Sequence, residues 1–302
     1  MNSDKNNFRE LWTYIDEHRP AIEDALRSYL PLAPAHIETR FNEALGYALF
    51  PGGKRFRPVL TFLGAELCGG DARDVLPAAV AVEFIHTSSL IFDDLPSMDN
   101  SSERREKPSL HEQFGEGLAI LVGLALLNAS YPLVFVNHSE EPEKAIQAHA
   151  EMVECIGSAG MVGGQSVDLA LVNSADGHSG ALAATSESIR NLKTSALMRL
   201  ALRTGAILSG ASHIELASLS RFAELMGDAY QLSDDLIDVE EDAGLFTEER
   251  KTLAIDAGET SARLRLGGIV DEGKRVLVEN FESSRARSVL VQLTDFLSSR
   301  RA

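Results

Sequence analysis

The chain has 302 residues, 44% of them hydrophobic, and its 45 acidic against 28 basic residues give a net charge of −17. A chain of this size and apolar content can form a large core without being divided into two domains. The acidic balance argues against nucleic acid as a partner, because phosphate backbones bind to basic surfaces, although a small anion would require only a local group of cations.

Cysteine content and apolar runs indicate the compartment. Two cysteines, Cys68 and Cys155, are too few for a disulfide framework or a zinc-ligand set and fit a reducing cytoplasm. The polar first residues exclude a standard signal peptide. We also find no apolar run that reaches the ~18–20 residues needed to span a bilayer. We therefore expect a soluble cytoplasmic protein with no transmembrane segment.

The dominant apolar periodicity is helical. Residues at a spacing of four predict two helices: Ile37, Phe41, Leu45 and Leu49, and then Val59, Leu63 and Leu67. The stretch 76–95 is apolar enough for a helix buried nearly all round. Further helices are expected at 118–135, broken near Pro132, and at 145–171. Three stretches are expected to be loops: 137–143, 173–180 and 241–249. Without strand alternation or a hairpin signal, the sequence predicts an all-α, single-domain bundle of about ten or more helices around a central cavity, spanning residues 1–302.

A basic turn precedes the second of these helices. The segment Gly52-Gly53-Lys54-Arg55-Phe56-Arg57-Pro58 places three bases within four positions, directly after two glycines. Backbone N–H groups and cations presented together by such a turn can bind an anion. The nucleotide phosphate-loop pattern Gly-x4-Gly-Lys-Ser/Thr is absent, and a solvated basic turn is the alternative interpretation. His86, on the buried helix, is a further candidate anion donor, although a lone helical histidine is more often structural.

The first of two acidic clusters ends the buried helix. Asp93, Asp94 and Asp99 follow a long apolar approach, and Pro96 disfavours helical geometry in the residue before it, so Asp99 is expected on a turn beyond the helix end. Carboxylates this close repel one another, and they lie at the negative end of the helix dipole. The arrangement is poor for stability but suits a cation. Mg²⁺, which bridges carboxylates and a substrate phosphate, is the expected ion.

Three further elements lie between the two clusters. The pair Arg104-Arg105 suits bidentate phosphate contacts. One apparent helix carries several glycines, each costing about 1 kcal/mol relative to alanine, which indicates close helix packing or room for a ligand: Gly157, Gly160, Gly163 and Gly164. The pair Lys193-Thr194 offers a cation and a hydroxyl, or is a surface helix position.

The second cluster lies in a helix that continues through it. Gln231, Asp234 and Asp238 share a face at spacings of three and four, with Asp235 beside it. Solvated acidic faces are the alternative interpretation of either cluster alone. Because the pattern occurs twice, each time after an apolar approach, we interpret the clusters as two jaws that close on one metal–diphosphate group.

In this order, the motifs resemble those of the trans-isoprenyl diphosphate synthases, or polyprenyl synthetases, over residues 41–252. The resemblance rests on six segments: Gly52-Gly53-Lys54-Arg55-x-Arg57-Pro58, Asp93-Asp94-x4-Asp99, Arg104-Arg105, Gly160-Met161-Val162-Gly163-Gly164-Gln165, Lys193-Thr194 and Gln231-x2-Asp234-Asp235-x2-Asp238. The two extra residues within the first aspartate motif resemble the short-chain branch of bacteria and plants. The resemblance implies an isoprenoid synthase fold and a homodimer.

The resemblance also implies a Mg²⁺-dependent prenyltransferase that condenses isopentenyl diphosphate with an allylic diphosphate. Isopentenyl diphosphate would be bound by Lys54, Arg57, His86 and Arg105. The Mg²⁺ ions on the allylic diphosphate would be held by Asp93, Asp94, Asp99, Asp234, Asp235 and Asp238. The allylic substrate would be contacted by Arg104, Lys193, Thr194 and Gln231, which would form the catalytic set together with Asp93, Asp94 and Asp234.

The chain departs from the family pattern at three places. Glu106 stands where the family usually has glycine after the arginine pair, and Leu124 stands where it usually has aspartate. The loop 242–252 lacks the usual Gly-Lys. A non-catalytic or regulatory synthase-like subunit is therefore one alternative function. The aspartates, which are all present in both acidic motifs, argue against it. A class I terpene cyclase is another, but a cyclase would not need the basic turn.

Product length can be predicted from the helix that ends at Asp93. An extended isoprene unit is about as long as one helical turn, ~5.4 Å, so each unit of a chain running alongside this helix descends about one turn. Ser88 and Ser89, one turn before Asp93, are small, and Phe84 and Ile85, a turn deeper, are the first bulky residues. These four positions are the expected chain-length determinants. They favour geranylgeranyl over farnesyl diphosphate as the product.

Overall fold

The computed structural model of the chain is a bundle of α-helices. It describes residues 7–37, 39–50, 52–173, 179–242 and 258–299, and within these ranges the side chains of 171–173, 179–193, 238–242 and Glu259 are not described. Lys193 and Asp238 are therefore located by their backbone alone. The loop 243–252, where the Gly-Lys is expected to be missing, lies outside the described residues, as does most of the predicted loop 173–180.

The elements are numbered here in chain order. The helices are α1 Arg9–Ser28, α2 Phe41–Leu49, α3 Phe56–Leu67, α4 Leu76–Asp93, α5 Leu110–Phe114, α6 Glu116–Ser130, α7 Pro142–Ile156, α8 Met161–Asn173, α9 Ser179–Leu208, α10 His213–Asp242, α11 Glu259–Asn280 and α12 Arg285–Ser298. A 3₁₀ helix, Tyr131–Phe135, follows α6, and the short strands β1 Glu103–Arg104 and β2 Lys107–Pro108 pair antiparallel.

Helix α9 lies at the centre of the bundle, against α3, α7, α8 and α10. Helix α4 packs between α3 and α6 and is buried along most of its length, as its apolar composition predicts. Apolar burial along both helices is the main favourable contribution to such a core. The predictions of an all-α fold, of a helix through Val59 and Leu67, and of a buried helix ending near Asp93 are confirmed.

Two glycines allow α3 and α9 to cross closely. A Cβ atom added to Gly64 of α3 would collide with the carbonyl oxygen of Leu202, and one added to Gly205 of α9 would collide with that of Thr61. Because the atoms in contact belong to the two backbones, no flexible side chain could move aside to make room for a methyl group. The crossing fixes the position of α9 relative to α3, which begins at the basic turn.

Three sequence predictions are wrong in detail. The first periodic helix begins at Phe41, and Ile37 lies outside it, half exposed. The predicted helix 145–171 is broken between Ile156 and Met161, where a side chain on Gly160 would collide with the Cys155 carbonyl. The glycines there form a turn, and so they do not lie within one helix. The hairpin β1–β2 was also not expected, because it has none of the usual turn glycines.

Two helical stretches are long and apolar enough to cross a membrane by length and composition, contrary to the expectation from the sequence. The first is α4, Leu76–Asp93, which is 78% buried inside the protein and is therefore a core helix. The second runs from Glu116 to Phe135 and is 39% buried. Its exposed apolar residues are Ile120, Leu121 and Leu124 on α6 and Phe135.

The glycine crossing predicts opposite effects for two matched substitutions. Gly205→Ala should lower the free energy of unfolding by about 1–3 kcal/mol, because the methyl group forces the two backbones apart. Gly267→Ala in α11 should raise it by about 1 kcal/mol, since no described atom lies within 4 Å of the added Cβ and alanine has the higher helix propensity. Urea unfolding followed by circular dichroism measures both. Equal effects of the two substitutions would contradict the packing described.

Candidate active site

The middle base of the basic turn points into the protein. Arg55 has a left-handed backbone conformation, φ 56°, and its side chain is fully buried. Its guanidinium donates to Glu83 at 2.5 Å, to Glu23 at 2.8 Å and to the Leu49 carbonyl at 2.8 Å. Burial alone would lower the pKa of Arg55, but the two carboxylates raise it above its ordinary value. Arg55 therefore stabilises the turn from inside the protein. From the sequence alone, all three bases were candidates for anion binding.

The two glycines of the turn lie against arginine side chains. A Cβ on Gly52 would collide with the guanidinium of Arg55, and one on Gly53 would lie 3.3 Å from the guanidinium of Arg105. Arg105 comes from the hairpin β1–β2, so the hairpin closes over the turn. Gly52 is therefore needed for the close approach of Arg55, and a side chain on Gly53 would crowd Arg105.

The remaining cations surround a cavity of about 470 Å³. It is bordered by the basic turn, α4, the hairpin, α9, α10 and α12. The residues predicted to bind diphosphates that line it are Lys54, Arg57, His86, Arg104, Arg105 and Thr194. Leu90, Met198 and Phe222 contribute apolar wall. The cavity thus combines a cationic rim with an apolar surface that can exclude water from a hydrocarbon chain.

Arg57 and His86 form the inner wall of the cationic rim. Arg57 Nη1 lies 3.2 Å from His86 Nε2. A guanidinium can only donate, so Nε2 accepts and the proton of the neutral imidazole is on Nδ1. Burial lowers the pKa of His86 well below 6.5, and the guanidinium of Arg57 lowers it further. Nδ1 is buried and finds no hydrogen-bond partner among the described residues, which leaves a donor for an incoming oxygen.

The first acidic cluster lies where α4 ends. Asp93 and Asp94 are buried, and the backbone N–H of Asp99 donates to the Asp93 carbonyl at 2.9 Å. This bond folds the following turn back onto the helix end, as expected, and Asp99 stays exposed on it. Asp94 accepts hydrogen bonds from both Nε and Nη2 of Arg104, which raise the pKa of Arg104. Asp94 therefore orients the arginine.

The hairpin has a left-handed two-residue turn. Arg105 and Glu106 have φ values of 57° and 62°, the signature of a type I′ turn, in which glycine or asparagine is usual. The glycine that the family has at the position of Glu106 would adopt this conformation without strain. A non-glycine residue there costs roughly 1 kcal/mol. The turn forms nonetheless, and it directs Arg105 over Gly53.

The second acidic cluster lies on α10, beyond the residues of that helix that line the cavity. Asp234 and Asp235 are half-buried, as is Gln231. Tyr230, four residues before Asp234, lines the cavity, and so does Leu90, four residues before Asp94. Since four residues are about one helical turn, each acidic cluster lies one turn beyond the cavity wall. Helices α4 and α10 thus both line one cavity, and that their acidic clusters act as two jaws stays a prediction.

The acids provide oxygen ligands of the kind that Mg²⁺ prefers. Among the side chains that the structure describes, no three of His, Cys, Asp or Glu are grouped closely enough to hold a metal ion by themselves. Asp238 is outside that set. A metal ion at these acids would therefore need further ligands from outside the described side chains.

The four expected chain-length positions all lie on α4, and Gln165 lies on α8. Phe84, Ile85, Ser88 and Ser89 are buried in α4, and Ser89 Oγ donates to the His86 carbonyl at 2.9 Å. Their role in chain length stays a prediction. Gln165 of the glycine-rich segment lies 3.9 Å from the Met98 sulfur, next to the loop that carries Asp99.

The sequence did not identify two groups of cavity residues. Glu83 is an acid within the apolar run of α4, three residues before His86, and this isolated charge was a usable signal. Tyr230 and Phe296 are the other group. Their helical spacing is that of ordinary core residues, so nothing local distinguishes them.

Comparisons with known proteins agree with this geometry. The model of the polyprenyl synthetase family matches residues 38–259. A geranylgeranyl diphosphate synthase of Cyanophora paradoxa is 38% identical over 78% of this chain and 76% of its own length. A chloroplastic geranylgeranyl pyrophosphate synthase of Capsicum annuum is 35% identical over 95% of this chain and 78% of its own.

Solved structures show the same architecture. An FPP/GFPP synthase from Zymomonas mobilis superposes with a TM-score of 0.84 at 30% identity, covering 96% of this chain and 99% of that protein. A geranyltransferase from Legionella pneumophila superposes with a TM-score of 0.81 at 28% identity, covering 98% of both chains.

The lowered pKa of His86 predicts a pH dependence of stability. Below about pH 6.5 the histidine takes up a proton in the unfolded chain but stays neutral in the folded one, so acid favours unfolding. This residue should therefore make the free energy of unfolding fall as the pH drops below that point. The free energy of unfolding of His86→Gln should therefore fall less steeply between pH 6.5 and 5.5 than that of the wild type. Parallel pH profiles would contradict a buried neutral histidine.

Proposed function

This chain belongs to the polyprenyl synthetase family and is a prenyltransferase, and from that premise we propose that it condenses isopentenyl diphosphate with an allylic diphosphate to give geranylgeranyl diphosphate. One observation carries the proposal. A single cavity has a cationic rim, an apolar interior and an acid-bearing helix on each side. Two diphosphates and two hydrocarbon chains require those three features together.

The cations of the rim divide between the two substrates. Lys54, Arg57, His86 and Arg105 bind the diphosphate of isopentenyl diphosphate, with His86 Nδ1 as a neutral donor. Arg104, held by Asp94, faces the allylic diphosphate, together with Lys193, Thr194 and Gln231. Guanidinium groups fixed by carboxylates stabilise charge on a leaving group without having to reorient.

The acids would hold Mg²⁺, chiefly Asp93, Asp99, Asp234, Asp235 and Asp238, since Asp94 is paired with Arg104. When bound, the metal would offset the charge that develops on the departing diphosphate. The allylic carbon–oxygen bond breaks, and the double bond of isopentenyl diphosphate attacks the resulting carbocation. The new carbon–carbon bond is followed by loss of a proton to the departing diphosphate. Leu90, Met198 and Phe222 exclude water that would otherwise capture the cation.

The proposal is tested with labelled isopentenyl diphosphate, farnesyl diphosphate and Mg²⁺. We expect a product of twenty carbons, identified by chromatography after dephosphorylation. Ser88→Phe should shift the product of a geranyl diphosphate reaction towards fifteen carbons, because the ring blocks the path beside α4, and Phe84→Ala should lengthen it. Hydrocarbon products would instead indicate a terpene cyclase, and no product a non-catalytic subunit.

Asp93→Asn is the control for the chemistry. It should reduce turnover by several orders of magnitude while the far-ultraviolet circular dichroism stays unchanged, because it removes a metal ligand from a site of closely spaced acids. Asp94→Asn should instead weaken allylic binding by releasing Arg104. Near-normal turnover of Asp93→Asn across a Mg²⁺ titration would refute the proposed metal site.

We also propose that the enzyme is a cytoplasmic homodimer. Ile120, Leu121 and Leu124 are 40%, 55% and 50% exposed on one face of α6. A continuous exposed apolar face of this kind is typical of an interface between proteins. The 3₁₀ segment after α6 interrupts the helix, which makes a membrane span the weaker interpretation. Both cysteines are free thiols, which supports a reducing compartment.

The homodimer is tested by charge insertion. The double substitution Leu121→Glu and Leu124→Glu should convert a dimer into a monomer in light scattering after size-exclusion chromatography, because each carboxylate would have to be desolvated in the interface. Leu264→Glu, at a position 73% exposed on α11, is the matched control and should leave the mass unchanged. A monomeric wild type that partitions onto lipid vesicles would favour a membrane surface as the partner of α6.

A further inference from the structure

Lys54, the exposed base of the turn, lies in a cage of three aromatic rings. Its Nζ is 5.4 Å from the ring centroid of Trp12, 5.8 Å from that of Phe56 and 5.3 Å from that of Phe296. The rings come from α1, α3 and α12. An ammonium within about 6 Å of a ring face is attracted by the ring quadrupole, and here three rings act on one charge.

The three rings hold one another in place. Trp12 packs edge-on against Phe296 at 5.4 Å, and Phe56 lies 5.9 Å from Trp12 and 6.1 Å from Phe296. Such aromatic pairs are favourable beyond the area that they bury. The cage is therefore a preformed part of the packing between α1, α3 and α12.

Trp12 occupies this position at a cost. It is only 9% exposed, and its Nε1 is buried with no hydrogen-bond partner among the described residues. A buried indole N–H without a partner destabilises the folded state, and a phenylalanine would fill similar space without that loss. The ring of tryptophan, however, attracts cations most strongly. The attraction of the ammonium beside it would offset part of that cost.

The cage lies at the edge of the diphosphate cavity. Lys54, Phe56 and Phe296 all line that cavity, as do Arg57 and His86. A lysine side chain loses rotamer entropy when it binds a ligand. Confinement near the cavity before binding reduces that loss, which is the general advantage of preorganisation.

We propose that Trp12, together with Phe56 and Phe296, is a positioning residue that holds the Lys54 ammonium ready for the diphosphate of isopentenyl diphosphate. The identity of the ligand rests on the proposed function; the cage itself requires only a diphosphate anion. Trp12 does not line the cavity, so it acts through Lys54. It should affect the isopentenyl substrate and leave the allylic substrate alone.

The first test is a double-mutant cycle on steady-state kinetics. Trp12→Leu should raise KM for isopentenyl diphosphate about two- to fivefold, the size of an exposed cation–π contact, with kcat and the allylic KM unchanged. In a Lys54→Met background the same substitution should have no further effect. Phe8→Leu is the matched control, because Phe8 packs on Phe296 at 5.6 Å without forming part of the cage. An equal effect in both backgrounds, or in Phe8→Leu, would show that the ring acts only structurally and overturn the proposal.

The second test needs no catalysis. Trp12 is the only tryptophan of the chain, so its fluorescence reports on the cage alone. Saturating inorganic pyrophosphate, with binding verified by calorimetry, should change the emission of the wild type and of Lys54→Arg, but not that of Lys54→Met. A change that persists in Lys54→Met would refute the cage, and so would its absence from the wild type. An inactive enzyme with a Lys54-dependent signal would refute the proposed reaction instead.

Discussion

The buried ion pair between Arg55 and Glu83 is the contact on which the site depends. With Glu23 it joins α1, the start of α3 and α4 beneath the basic turn, and the Gly52 backbone lies directly on the guanidinium. Removing one partner of such a pair typically costs about 3–5 kcal/mol, because the other charge is left buried. Because Arg55 points inward, Lys54 and Arg57 on either side of it are directed to the cavity.

The cavity shows how an acidic protein can bind polyanions. The net charge of −17 belongs to the whole chain. The charged side chains that line the cavity, in contrast, are mostly cations. Their mutual effect is visible in His86, whose pKa is lowered by burial and by the guanidinium groups around it, and in Arg57, whose pKa is lowered by burial. Glu83 partly compensates this charge. A diphosphate would relieve the rest, so binding and local stability are coupled.

Two of the departures from the family pattern have structural explanations that leave the site intact. Glu106 accepts a left-handed conformation that glycine would adopt freely, and the hairpin still directs Arg105 over Gly53. Leu124 is exposed on α6 and extends the apolar face proposed as the dimer interface. The neighbouring Gly123 makes room for the ring of Phe92, next to Asp93. Both changes are therefore compatible with an active synthase.

The sequence by itself determined the helical class, the two acidic clusters and the basic turn, because each is a local pattern of period or charge. It placed the end of α4 well, since Pro96 acts on its direct neighbour. It did not predict the turn between Ile156 and Met161, because glycines are equally typical of a turn and of closely packed helices. Only the tertiary structure decided that Arg55 turns inward, that Gly64 and Gly205 meet, and that Trp12 and Phe296 surround Lys54. The direction in which a side chain is buried depends on helices distant in the chain, and no local pattern records which helices those are.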